Sequence, residues 1–219
     1  MLSSSAVALA LVIAAQAPSP PRADNMSAFA AEERASFLSL SLDAALDLPT
    51  AGLWPMASGR LDLRYRLPLG AAVVGEAGLR SGYGYRAFKG TGRDARYGED
   101  PAAYLRAHMV PVYGIAALAL GTGDESPLLV IPLRLSAYGG LGAHIAFGEA
   151  HGFGRTASLL AAAPSALVGG SVELMQTAQL RYGLFAEWEM CRFAHGVPGA
   201  PEDLSAARVG LTASYAFGL

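Results

Sequence analysis

The stretch 36-SFLSLSLDAALDLP-49 decides the fold. Leu38, Leu40, Leu42, Ala44, Leu46 and Leu48 occupy every even position, with Ser39, Ser41, Asp43, Ala45 and Asp47 between them. A period of two puts the two sets on opposite faces of a β-strand. The next segment, 59-GRLDLRYRLPLG-70, repeats the pattern with more contrast: Leu61, Leu63, Tyr65 and Leu67 alternate with Arg60, Asp62, Arg64 and Arg66. Four charges along one side exclude a strand buried on both faces. One face of each strand is apolar and the other polar.

Read in this way, the 219 residues give about eight strands, near 36–48, 58–67, 71–81, 103–120, 128–148, 164–176, 179–192 and 204–219. Short turns are predicted at Pro68 to Gly70, at 121-GTGDESP-127 and around Thr177-Ala178. Longer connections are predicted over 49–57, 82–102, 149–163 and 193–203. Short and long connections would thus alternate between the two ends of an antiparallel meander, as in outer-membrane barrels with short periplasmic turns and longer surface loops.

Composition narrows the class. Hydrophobic residues make up 53% of the chain and charged residues 16%, below the ~25% usual for soluble domains. A formal charge of −2 gives no electrostatic support for a nucleic-acid partner. One cysteine, Cys191, excludes an intramolecular disulfide and a C-x-x-C site. The run Ala6 to Ala15 has the length of a signal-peptide core and is too short to span a bilayer as a helix, which takes ~20 residues. Residues 1–17 are therefore assigned to a signal peptide, 18–34, with Pro18, Pro20 and Pro21, to a linker, and 35–219 to a barrel domain. The n-region MLSSS departs from the usual pattern in lacking Lys and Arg.

The charges define the polar face. Asp43 and Asp47, then Arg60, Asp62, Arg64 and Arg66, then Glu76 and Arg80, then Arg181, Glu187 and Glu189 keep one parity within each strand. Chance gives that roughly once in a hundred. Arg192 breaks the parity, at a strand end, where an outward charge costs only ~0–1 kcal/mol. Arg106, Arg134, Glu173 and Arg208 extend the same face, bringing arginines and carboxylates near balance. A soluble barrel would show Lys and Glu opposite a dry core, but the chain has one lysine, Lys89. An eight-stranded barrel is just wide enough for side chains to fill, so these residues are expected to pair across the lumen through guanidinium forks. That leaves no open pore and makes the carboxylates poor catalytic candidates.

The C-terminal stretch 208-RVGLTASYAFGL-219 sets Val209, Leu211, Ala213, Tyr215, Phe217 and Leu219 against smaller or polar residues to the last position. It resembles the terminal strand of bacterial outer-membrane β-barrel proteins, whose alternating aromatic ending is read by the barrel-assembly machinery. Leu211, Tyr215, Phe217 and Leu219 carry the resemblance, with Leu219 in place of the usual terminal Phe. The mature chain is similar to the small eight-stranded outer-membrane barrel family. The resemblance implies an all-β, up-and-down transmembrane barrel in the outer membrane, a monomer, surrounded by lipid and lipopolysaccharide and inserted by the assembly machinery. Tyr65, Tyr182, Trp188, Tyr215 and Phe217 would then lie in interfacial aromatic girdles.

Some barrels of this kind act on lipids, and the lipid A deacylase-like ones carry His-x-Ser. None of His108, His144, His151 and His195 has a serine two residues on. His108 and His144 fall on the expected inward parity, and His151 and His195 in Gly-rich loops. No catalytic set, cofactor or metal site is expected. Segment 82-GYGYRAFKGTGRDARYGEDP-101 combines Tyr83, Tyr85, Arg86, Arg93 and Tyr97, residue types that grip ligands from an exposed loop. Its glycine pairs make no nucleotide site, since no helix follows them. The function read from the chain is an outer-membrane barrel with a structural or surface-interaction role. The alternatives are an outer-membrane lipid-modifying enzyme, a soluble periplasmic barrel with an apolar ligand and inverted faces, and, more remotely, a helical membrane protein through 127–147.

Overall fold

The computed structural model describes residues 38–49, 53–69, 73–121, 133–175, 179–194 and 197–217. The signal peptide, the linker, the turn residues 122–127 and 177–178, strand residues 128–132, His195 and Leu219 lie outside them. The described chain is a closed ring of eight antiparallel strands in sequence order: β1 Leu38–Pro49, β2 Met56–Pro68, β3 Val73–Asp94, β4 Gly98–Gly121, β5 Leu133–Gly152, β6 Arg155–Met175, β7 Leu180–Cys191 and β8 Ala206–Phe217. The β1–β8 ladder, Leu38↔Phe217 to Pro49↔Ala206, closes it.

Register sets the shape. Followed from Leu38, paired positions pass through Tyr65, Ala77, Ala116, Gly139, Val168, Trp188 and Ala207, and return to β1 at Leu48, ten residues on. With strands about 4.8 Å apart and about 3.4 Å per residue, this stagger tilts the strands about 40° from the axis. Each residue then climbs about 2.5 Å along the axis.

The alternation read in the sequence is realised with the apolar face outward. Leu42, Leu61, Leu63 and Leu79 are 48–65% exposed, whereas Asp62, Arg66 and Arg80 are 0–1% exposed. Opposite charges meet directly across the ladders at Asp43↔Arg60, Asp62↔Arg80, Arg66↔Glu76, Arg134↔Glu173 and Glu187↔Arg208. Such cross-strand pairs are the local unit that fixes register.

Three expectations need correction. Segments 82–102 and 149–163 are not loops. β3 runs to Asp94, β4 starts at Gly98, and β5 and β6 meet at a tight turn through Phe153 and Gly154, at φ 50° and 71°. The glycines that suggested loops sit within continuous ladders. The predicted alternation of short and long loops accordingly gives way to an asymmetry of strand length: β3 to β6 have 20–24 residues and the other strands 12 or 13. The excess rises roughly 20 Å as a four-stranded sheet on the side opposite both chain ends. Finally, Arg106 and His108 point outward. On β4 the inward positions Leu105, Ala107, Met109, Tyr113 and Ile115 are as apolar as Val112, Leu118 and Leu120 outside, so alternation carried no parity there and pairing with β3 decides it.

The interior has two zones. At the level of the four short strands buried charges dominate it, beside a small apolar cluster of Tyr113, Ile115, Ala117, Tyr138 and Leu167 on the β4–β6 side. Above them, Leu105, Ala107, Met109, Ala146, Ala150 and Leu159 from the raised sheet pack on Phe193, Val197, Ala200 and Leu204 of the β7–β8 connection and on Leu53. This apolar cap closes the barrel on the raised side. It is held at tight points: a Cβ on Gly92 would come 2.4 Å from the Gly199 carbonyl oxygen.

Candidate functional site

All fourteen residues expected in the lumen network are buried there. Glu187 on β7 is its hub. Its carboxylate accepts from Arg60 (2.9 Å), Arg80 (2.5 Å), Arg208 (2.5 Å) and the Tyr138 hydroxyl (3.1 Å). Arg80 also holds Asp62 in a fork, Nε and Nη2 each 2.6 Å from a carboxylate oxygen, and Arg64 donates to Asp62 at 2.6 Å. Nearer the chain ends, Glu76 accepts from Arg64 (3.1 Å), Arg66 (3.3 Å) and Arg134, and Glu173 lies 3.9 Å from Arg181. Toward the cap, Asp47 accepts from Arg208 (2.7 Å), Ser58 (2.7 Å) and Arg86, and Glu189 meets Arg60, Arg86 (3.7 Å) and His144. Tyr138 lies under Arg80 and Arg64, and Tyr113 under Arg60, with guanidinium carbons 4.9, 5.4 and 5.5 Å from the ring centroids. The charges form a continuous cross-lumen plug, and each carboxylate in it is engaged by at least one guanidinium.

The sequence reading missed three members, Arg86, Tyr113 and Tyr138, whereas His144, expected on the inward parity, is buried there against Glu189. Arg86 had a legible signal, because Glu76, Arg80 and Arg86 share one parity along β3. Tyr113 and Tyr138 had none, since an inward tyrosine looks like any strand aromatic until its neighbours are known.

His144 is the nearest approach to catalytic chemistry. Its Nε2 lies 2.9 Å from Glu189 and its Nδ1 3.3 Å from the Tyr113 hydroxyl. A crevice lined by His144, Glu189, Asp47, Ser58, Arg86 and Arg208 adjoins it, with room for about one water. Ser58 is committed to Asp47 and Arg208. The hydrogen-bond partners of His144 are a carboxylate and a phenol, not the serine hydroxyl that a triad pairs with its histidine.

The residues singled out for loop binding do not converge. Tyr83 and Tyr85 project outward beside His108, with the Tyr83 hydroxyl on its Nδ1 and Phe147 stacked on its ring at 5.0 Å. Arg86 faces the lumen. Arg93 pairs with Glu99 at 2.9 Å in the open, and Tyr97 packs on Phe153 at the tips of the two hairpins. His151 stacks on Tyr104 and shares a hydrogen bond with Thr156, while Arg106 pairs outside with Glu149 at 3.5 Å. Among the described residues no cluster of three or more His, Cys, Asp or Glu could hold a metal ion. Asp100, in the raised part, accepts from the amides of Ala102 (2.9 Å) and Phe153, and these bonds hold its carboxyl below the usual carboxylate range.

No family model matches the chain, and no curated protein matches it. Solved structures similar to it include Neisserial surface protein A, at 11% identity and TM-score 0.46 over 84% of this chain and 97% of that one. Ail, the attachment invasion locus protein of Yersinia pestis, in complex with sucrose octasulfate, is similar at 13% identity and TM-score 0.43, over 83% of this chain and 99% of that one. The N-terminal β-barrel domain of Pseudomonas aeruginosa OprF is similar at 12% identity and TM-score 0.40, over 81% and 97%.

Proposed function

We propose that the chain is an integral outer-membrane barrel, monomeric and without catalysis, that holds a rigid four-stranded sheet above the bilayer as a surface-interaction element. The observation that carries this reading is the facing of the wall. An apolar outer belt encircles a lumen of buried arginines and carboxylates, the reverse of a soluble barrel. The 12 or 13 residues of each short strand, rising about 2.5 Å each, make this part of the wall about 30 Å tall, enough for the ~25 Å apolar band of an outer-membrane barrel. Tyr65, Tyr182, Tyr215 and Phe217 lie at one rim of it, and Trp188, Tyr83 and Tyr85 toward the other, where interfacial aromatics are favoured. The terminal strand, with Leu211, Tyr215 and Phe217 outward, is the element the assembly machinery would read. Lipid and lipopolysaccharide are the surroundings that the belt and the aromatic rim suit.

Electrophoretic mobility in SDS, with and without boiling, on protein from isolated outer membranes tests this. A band that shifts on heating is expected, because a closed ladder resists the detergent until heated. Recovery in the soluble periplasmic fraction, with no shift, would overturn the reading.

A further inference from the structure

The barrel wall has a break in its hydrogen bonding near the outer rim of the belt. β3 and β4 pair from Val73↔Leu120 to Ser81↔Val112 and resume in the same register at Gly84↔Met109, with no pair at Gly82–Pro111 or Tyr83–Val110. Gly82 and Tyr83 stay paired with β2, and Val110 and Pro111 with β5. The cause is Pro111. It has no amide hydrogen to offer Gly82, and its carbonyl accepts from the Ser81 hydroxyl at 3.0 Å instead of from a ladder amide. Apart from a register shift between Gly90 and Gly92, the pairing of the described strands is otherwise unbroken.

The crevice beside His144 lies behind this break. Tyr83, Gly84 and Pro111 line it from the wall, and Arg86, His144 and Glu189 from the lumen. Tyr83 is 49% exposed on the outer face, whereas Arg86, His144 and Glu189 are 1–2% exposed. The Nη atoms of Arg86 hold Asp47 and Glu189, but its Nε is buried with no hydrogen-bond partner. Such a donor, on a side chain lining a polar crevice with room for about one water, calls for that water.

We propose that the crevice is a water site filled sideways through the barrel wall, at the gap that Pro111 leaves between β3 and β4. Through it the His144–Glu189 pair exchanges protons with the water outside the cell. Routes along the axis are closed by the apolar cap above and by the plug below, where Glu187 and Asp62 tie Arg60, Arg64 and Arg80 together. The sideways route is short, because Tyr83 stands where the belt gives way to the interface. Arg60, Arg86, Arg208, Asp47 and Tyr113 face the pair. That the gap opens to the cell exterior rests on the surface-barrel reading.

Arg64 supplies an internal control. Its Nε is likewise buried without a partner, but its side chain sits in the plug against Asp62 and Glu76 and does not line the crevice. In the full mature barrel in detergent micelles, with isotope-labelled arginine and histidine, hydrogen exchange at the side-chain N–H groups is followed by NMR. The Arg86 Nε–H should exchange about tenfold faster than that of Arg64, or more, and should show a nuclear Overhauser effect to bound water. The double variant Ser81→Ala/Pro111→Val restores both ladder partners, so Arg86 should slow to the rate of Arg64. Tyr83→Ala, at the mouth, should speed Arg86 and leave Arg64 unchanged. The His144 ring N–H should follow Arg86 through the series. Heat-modifiable mobility is checked in each protein. In a parent that shifts on heating, equal rates at Arg86 and Arg64 overturn the inference alone. So does an Arg86 rate that neither folded variant changes, or a His144 N–H that stays protected beside a fast Arg86. A parent that never shifts overturns the barrel reading and the inference with it.

Discussion

At the scale of single residues, the lumen is governed by what one carboxylate holds. Glu187 serves Arg60, Arg80 and Arg208 at once, and all four side chains are almost wholly buried. Removing one partner of a buried ion pair leaves uncompensated charge, at about 3–5 kcal/mol. Glu187→Gln should therefore lower barrel stability by that order, read as a lower urea midpoint in detergent. Arg93→Ala, which opens an exposed pair, should change it by about 0–1 kcal/mol. Asp100 gives a pH prediction. Its carboxyl titrates below its ordinary value, so the amide bonds it accepts add stability at neutral pH, and that contribution is lost as pH falls through the depressed value. Amide exchange at Phe153 and Ala102, corrected for the intrinsic pH dependence, should keep its protection at pH 6 and lose it only as the pH falls below the ordinary carboxylate range. Asp100→Asn should show the loss at pH 6 as well. The parity of the lumen charges was legible because each lies on a strand with a clean alternation. Their pairing was not, since Arg60 and Glu187 are 127 residues apart and meet only across the closed ring.

At the scale of the element, strand length separates what alternation can show from what it cannot. β1 and β2 announce themselves because leucine and charge trade places at every step. The part of β3 beyond Ser81 does not, because Gly82, Gly84, Gly90 and Gly92 carry the turn composition of a loop. Some of those glycines answer to a close neighbour instead, and Gly92, beneath Gly199, is the clearest. Gly92→Val should push the 192–205 connection out of the cap while the ladders below stand. Limited proteolysis should then cut within 192–205, with heat-modifiable mobility retained. A protease-resistant connection in that variant would show that Gly92 does not hold the cap. β4 marks the other limit, since a strand apolar on both faces has no parity to read, and Arg106 and His108 turned out on its outer side.

At the scale of the whole molecule, the outer belt and the raised sheet respond differently to the same kind of substitution. Leu61 stands near mid-height of the belt, so Leu61→Arg should cost about 2–4 kcal/mol in folding equilibria measured in lipid vesicles. Leu160→Lys, above the belt, should change it by about 0–1 kcal/mol. Equal penalties at the two sites would place the belt elsewhere on the barrel. What the sequence by itself determined was local and periodic: antiparallel strands, one apolar face on each, charges confined to the other. These follow from a two-residue period, which acts within a strand and needs no knowledge of its neighbours. The tertiary structure alone decided the ten-residue stagger, the apolar cap over the polar lumen and the raised sheet. Each depends on which strands end early and which continue, and a strand's end is fixed by whether a partner remains beside it, not by its own residues.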